Sequence, residues 1–179
     1  DTGAHNYRVA WIAAKMGETL GLSGNSMQAL IVGSFLHDVG KIGVPDAILL
    51  KPGRLDEQEM ATMRTHVAQG EKIVGDTGWL GGAKEVVSAH HENWDGSGYP
   101  RGLRGQDIPL AARIFAVADV FDALCSRRPY KEPLSFESAI DILDSSTGSH
   151  FDPGVMRCFR AMAADIYKTM STLDEAGAR

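Results

Sequence analysis

Apolar positions recur along this chain with helical spacing and almost nowhere with that of strands. Val9, Ile12, Ala13, Met16 and Leu20 form one stripe that stops at Gly21. Ala29, Leu30, Val32, Phe35 and Leu36 form a second that runs out near Gly40. Asp56 followed by Glu59 reads as a capping box, opening a third helix through Met60, Met63, Val67 and Ile73. A short fourth helix spans residues 83–92 and ends in a histidine pair. Pro109 suits the first turn of a fifth, which carries Ile114, Val117, Val120 and Leu124. Ser135 caps a sixth through Ile140 and Leu143. Asp152 and Pro153 open a seventh through Val155, Met156, Phe159, Met162 and Ile166. The pattern predicts an all-α bundle of about seven helices over residues 1–168, joined by Gly- and Pro-rich loops at 40–55 and 93–109. From Thr169 to Arg179 the stripe fades and the tail is expected to fray.

Composition narrows the function. The 179 residues suit one domain, and a hydrophobic fraction of 44% is enough for a core. A net charge of −5 argues against a nucleic-acid surface, so an anionic substrate would need a locally positive site. Cys125 and Cys158 lie in apolar helical stretches and read as small core hydrophobes, which fits a reducing cytoplasm. No run of about 18 apolar residues marks a membrane span. Asp1 falls inside a helical pattern, as expected of a catalytic domain cut from a longer signalling protein.

The chemistry is concentrated in the histidines. Five of the six join two aspartates in the set His5, His37, Asp38, His66, His90, His91 and Asp119. His37 and Asp38 end a buried helix, and adjacent residues there diverge by about 100°, which suits two neighbouring metal ions better than one chelate. A carboxylate can bridge two ions, and Asp38 is the candidate bridge. Asp119 interrupts the apolar run AVADVFDAL, where a buried charge is costly unless paired or metal-bound. Asp122 lies one turn on and could orient a ligand. Arg8, one turn past His5, could brace a ligand or reach a phosphate. Asp1 stands four residues before His5, on the same helix face.

Each residue alone has an ordinary reading. His66 on an apolar stripe could be a hydrogen-bonded core residue, the His pair a polar helix end, and Asp119 a partner of Arg113 or Lys41. Their joint placement at helix ends and buried faces favours a metal centre. His150, just before a helix cap, reads as structural. Nitrogen and oxygen donors without thiolate suit Fe or Mn, with Ni, Co or Zn as alternatives.

These residues resemble the HD superfamily of metal-dependent phosphohydrolases. The stretch HHENWDGSGYPRGLRGQDIPLAARIFAVADVFDALCSRRPYK, with HNYRV, HDVGKIGVPD, LLKPGRL, the lone Thr65–His66 and GSHFDP, is similar to the HD-GYP family of bacterial cyclic di-GMP phosphodiesterases. Its signature tripeptide is Gly98, Tyr99 and Pro100. The resemblance runs from Asp1 to about Phe159, and it is the ordered series that makes it specific. It implies an all-α HD domain with a metal centre in its core, hydrolysing cyclic di-GMP to pGpG and often to GMP. It assigns His37, Asp38 and Asp119, with His5, to a first metal, and His66, His90 and His91 with Asp38 to a second. Three-metal relatives carry Glu where this chain has Asp1, whose reach is shorter by about 1.5 Å, so two ions are expected and a third depends on Asp1.

The expected nucleophile is a hydroxide bridging the two metals, with Asp38 holding both. Lys41 should overhang the cluster, to bind the scissile phosphate or protonate the leaving oxygen. The resemblance places Arg128 and Lys131 on ligand phosphates; by spacing alone they are a basic turn. Tyr99 and its loop are expected to meet substrate or a diguanylate cyclase (GGDEF) domain, and Trp94 to pack beneath. Upstream sensory or receiver domains and a homodimer are further expectations. The rival readings are a phosphodiesterase for 3′,3′-cGAMP and a non-catalytic cyclic di-GMP receptor.

Overall fold

The computed structural model describes residues 2–75 and 78–177. Among these it is all helix and turn, with two isolated β-bridges and no strand. The helices are α1 (Thr2–Thr19), α2 (Gly24–Leu36), α3 (Asp46–Leu49), α4 (Glu57–Arg64), α5 (His66–Val74), α6 (Lys84–Ala89), α7 (Leu110–Cys125), α8 (Phe136–Ser145) and α9 (Pro153–Gly177). Short 3-10 segments cover Val39–Gly43, Gly78–Ala83 and Gly105–Asp107. No helix among the described residues is long and apolar enough to cross a membrane.

The core joins α1, α2, α7, α8 and α9. Val9, Ile12 and Met16 of α1 meet Leu30 of α2, Ile114, Phe115 and Phe121 of α7, Leu143 of α8 and Phe159 of α9. Phe121 and Phe159 pack edge to face at 4.9 Å. Fully burying a side chain of this size contributes about 1.5–3 kcal/mol, so this cluster supplies the rigid base from which α1, α2 and α7 present their polar ends.

Four sequence expectations change. The third helix is two, α4 and α5: the Thr65 hydroxyl and amide both turn back to the Thr62 carbonyl, at 2.6 and 3.1 Å, which tightens the last turn and ends the regular ladder. The capping box is present, with Glu59 N donating to Asp56 Oδ1 at 2.8 Å and Asp56 N to Glu59 Oε2 at 2.9 Å. The second helix stops at Leu36, and the HD doublet lies in the turn leading to the 3-10 segment. Pro109 stands just outside α7, at its cap. The last helix continues past Thr169 to Gly177, with Met170 buried against the core.

Candidate metal centre

The side chains of the HD turn, the start of α5, the end of α6, α1 and α7 converge on one cleft. Gly40 makes this approach feasible. A Cβ there would overlap the His66 carbonyl and the Gly70 amide, so only glycine lets the 3-10 segment lie on α5. His37 and Asp38 thereby face His66, and α6 delivers His90 and His91 beside them.

Two groups of donor atoms result. Asp38, His66, His90 and His91 form one; His5, His37 and Asp119 form the other; within each, ligand atoms lie within 4.8 Å of one another. Asp38 stands between them. Its Oδ2 lies 3.1 Å from His37 Nε2 and 2.9 Å from Lys41 Nζ, and its Oδ1 lies 3.4 Å from His66 Nε2 and 3.8 Å from His90 Nε2.

The imidazoles are aimed by their other nitrogen. Nδ1 of His37 faces the Ser34 carbonyl at 2.8 Å, that of His66 the Met63 carbonyl at 2.8 Å, and that of His90 the Val87 carbonyl at 2.9 Å. A carbonyl only accepts, so each Nδ1 carries a proton and each ring turns its Nε2 inward. The Nε2 atoms of His66 and His90 thus face each other at 3.4 Å, with Asp38 Oδ1 beside them. Nitrogen and oxygen donors that converge this closely fit a cation between them. His5 is held by a carboxylate: its Nδ1 donates to Asp122 Oδ2 at 2.6 Å, while Nε2 meets Asp119 Oδ1 at 3.1 Å. Asp122 is fully buried and also accepts from Arg8 Nε at 2.6 Å and Ser126 Oγ at 2.9 Å.

The electrostatics follow. Burial works against ionising Asp38, but hydrogen bonds from His37 and His66, with the charges of His37 and Lys41, hold its carboxyl well below the usual range. Burial and the neighbouring His91 depress His90 to about 3. Burial and His66 depress His91 to about 4. Both rings are therefore neutral and able to donate lone pairs. Burial lowers His5, but Asp119 and Asp122 outweigh it and raise it to about 9.

The centre opens into a cleft of about 1260 Å³, lined among others by Arg8, Lys41, Asp119, Arg127 and Arg128. The Asp119 side chain is 35% exposed on that cleft, which explains a carboxylate in an apolar helix. Arg113 pairs with Asp152 at 2.7 Å, leaving Asp119 to His5. Burial pushes the Cys125 thiol, at the same cleft, up to about 12, so it is no nucleophile at neutral pH.

Some expected contacts fall elsewhere. Arg128 and Lys131 close a turn by mutual backbone hydrogen bonds of 3.1 Å, but only Arg128 is among the cleft-lining residues. Tyr99 is not among them either: its ring stacks on His91 at 4.7 Å and 16°. Trp94 is half-buried, and its amide donates to the His150 carbonyl at 3.1 Å, tying the loop to the segment before α9. Asp1 lies outside the described residues. Glu92 is a residue the sequence reading passed over. It is buried, and its carboxylate accepts from Arg101 N at 2.7 Å and Leu103 N at 3.0 Å, folding the loop back on itself.

A model of the HD domain matches residues 2–155. The chain belongs to the HD-domain family. Its HD-GYP resemblance holds among curated relatives. A probable cyclic di-GMP phosphodiesterase of Vibrio cholerae is 54% identical over 132 residues, 69% of this chain and 30% of the relative. A 3′3′-cGAMP-specific phosphodiesterase of the same species is 46% identical, over 86% of this chain and 30% of the relative. A cyclic di-GMP phosphodiesterase of Thermotoga maritima is 41% identical, over 93% and 46%. The chain spans less than half the length of each. The HD-domain fold also matches the Listeria monocytogenes phosphodiesterase PgpH HD domain in complex with cyclic-di-AMP, with a TM-score of 0.66 at 18% identity, covering 96% of this chain and 91% of that one. A cyclic GMP-AMP specific phosphodiesterase of V. cholerae matches with a TM-score of 0.69 at 19% identity, covering 89% and 44%.

Proposed function

We propose that this domain is a metal-dependent phosphodiesterase that opens cyclic di-GMP to pGpG. One observation carries the reading. Asp38 turns one oxygen toward His37 and the other toward His66 and His90, so a single carboxylate joins the two donor groups and would serve an ion in each. In this reading His5, His37, Asp38 and Asp119 hold the first ion, and Asp38, His66, His90 and His91 the second. Fe or Mn suits these donors best. A third ion would need Asp1. When bound, such a pair supplies Lewis acidity and brings the pKa of water toward neutrality.

The protein's own residues do the rest. Asp122 keeps His5 in one tautomer and orientation, with Arg8 and Ser126 holding Asp122. Lys41, partly exposed beside Asp38, offers a positive charge to a phosphate oxygen and a proton to a departing ribose oxygen. Arg128 at the cleft wall is placed for the substrate's second phosphate. These cations supply locally what the net charge of −5 lacks.

The relatives named for 3′3′-cGAMP favour a second reading, in which that dinucleotide is the substrate. Base choice lies in the outer cleft, and the ligand set is neutral on it. The complete ligand set weighs against a non-catalytic receptor. In the whole protein we carry as proposals a cytoplasmic location, upstream sensory or receiver domains, a homodimer, and a diguanylate cyclase domain docking on the exposed Asp95, Ser97, Pro100 and Arg101.

The test is single-turnover cleavage by anaerobically purified protein loaded with Fe(II) or Mn(II), cyclic di-GMP and 3′3′-cGAMP side by side, with metal counted on the same sample. Cleavage of cyclic di-GMP that disappears in Asp38→Ala is the expected result. Full metal loading with cleavage of cGAMP alone selects the second reading. Full loading with neither cleaved rejects both.

A further inference from the structure

His37, His66 and His90 are aimed by main-chain carbonyls and His5 by Asp122, but His91 is held in another way. Its ring lies nearly parallel to that of Tyr99, with centroids 4.7 Å apart and 16° between planes. The Arg64 guanidinium also lies over the Tyr99 ring, 4.8 Å from its centre. The backbone makes the same connection, since Tyr99 N donates to the His91 carbonyl at 3.1 Å. Gly98 sits so close to the His91 carbonyl, the Glu92 Cα and the Asn93 amide that a Cβ would overlap all three. Glu92 then pins the returning limb of the loop through Arg101 and Leu103. Arg101 fastens it to α5 by a 3.0 Å bond to Glu71.

We infer that Tyr99 is a positioning residue for His91: the loop 92–103 folds back so that the flat face of Tyr99 sets the plane of that imidazole and hence the direction of its lone pair. A lone pair on a ring nitrogen lies in the ring plane, so an imidazole free to rotate about its Cβ–Cγ bond loses its aim. A parallel aromatic face restricts that rotation, as the carbonyl bonds do for the other rings. The glycine before Tyr99 and the carboxylate of Glu92 are what allow and hold the fold-back. The loop's contribution to the centre is then geometric, distinct from contact with substrate. This inference rests on the metal reading above.

The test is a Co(II) titration of metal-depleted protein, followed by its visible absorption, on the wild type, Tyr99→Phe, Tyr99→Leu, His91→Ala and the His91→Ala/Tyr99→Leu double variant. Tyr99→Leu should weaken the ion held by Asp38, His66, His90 and His91 by about ten- to a hundredfold. The His5, His37 and Asp119 ion should bind as in the wild type, as an internal control of folding. Tyr99→Phe keeps the ring and should restore the second ion. In the His91→Ala background, Tyr99→Leu should add no further loss. Equal binding in Tyr99→Leu and wild type overturns the inference. So does a parallel loss of both ions, or a further loss on top of His91→Ala, because either assigns Tyr99 to the fold and not to His91. A wild-type count below two ions removes the metal reading itself.

Discussion

Asp122 shows how much of a site can rest on a residue that need not touch the substrate. It is fully buried and takes hydrogen bonds from His5, Arg8 and Ser126. Asp122→Asn would keep the shape but offer an NH2 where His5 Nδ1 now donates. We expect the ion at His5, His37 and Asp119 to weaken by about ten- to a hundredfold, with the other group little changed, as read by Mn(II) titration. Unchanged affinity would mean that His5 needs no orienting partner. At the cleft wall, Arg128→Ala should lower kcat/KM by about tenfold or more, the loss of a charge-assisted hydrogen bond of about 1.5–3 kcal/mol. Lys131→Ala should do far less, since Lys131 is not among the cleft-lining residues; equal effects in steady-state assays would refute that ranking. At this scale the donor cluster was legible because histidines are few here and a carboxylate amid Ala and Val is conspicuous. Asp122 was legible from its one-turn offset to Asp119. Glu92 was not. An acidic residue before Asn-Trp-Asp-Gly looks like ordinary loop, and its partners are main-chain amides nine and eleven positions on, which no side-chain pattern announces.

Helix ends, more than helix interiors, build the centre. His37 caps α2, His66 opens α5 and His90 caps α6. The break between α4 and α5 therefore matters, and so does the close approach of Gly40 to the His66 carbonyl beside it. Gly40→Ala should cost about 1–3 kcal/mol by overpacking and should also disturb His66 and the ion it holds. Asp56→Ala removes only the cap of α4 and should cost about 1 kcal/mol while leaving metal content intact. Urea denaturation with metal analysis on both variants separates the two effects; a Gly40→Ala protein with full metal content would show that the 3-10 segment can shift without moving His66. The capping box was readable because its two residues and their spacing are local. The break was not, because Met60, Met63, Val67 and Ile73 keep a helical rhythm across it, and the rupture comes from a hydroxyl turning on its own backbone. Likewise the polar residues past Thr169 hid the end of α9, where Met170 still reaches the core.

Taken whole, the molecule carries opposed histidine titrations, and pH should reveal them. His5 has a folded pKa of about 9 against about 6.5 for a free imidazole, so its contribution to stability is complete below about pH 6.5 and is lost as pH rises through 9. His90 and His91, at about 3 and about 4, are neutral when folded but gain protons in the unfolded chain below about pH 6.5, so stability also falls as pH drops from there. Metal-free protein should accordingly be most stable near pH 6.5, with a loss on each side of at most about 1.4 kcal/mol per pH unit for each titrating group. A metal ion changes only one side. To offer Nε2, His5 must release its proton, so binding at His5, His37 and Asp119 should tighten by about tenfold per pH unit up to about pH 9. His90 and His91 have no proton to release in that range and should add no such dependence to the second group. Saturating Mn(II) should then flatten the alkaline decline seen in denaturant melts, and His5→Gln should abolish that decline in the metal-free protein. An alkaline limb that survives His5→Gln would assign it to another group and remove His5 as the pH-sensitive ligand.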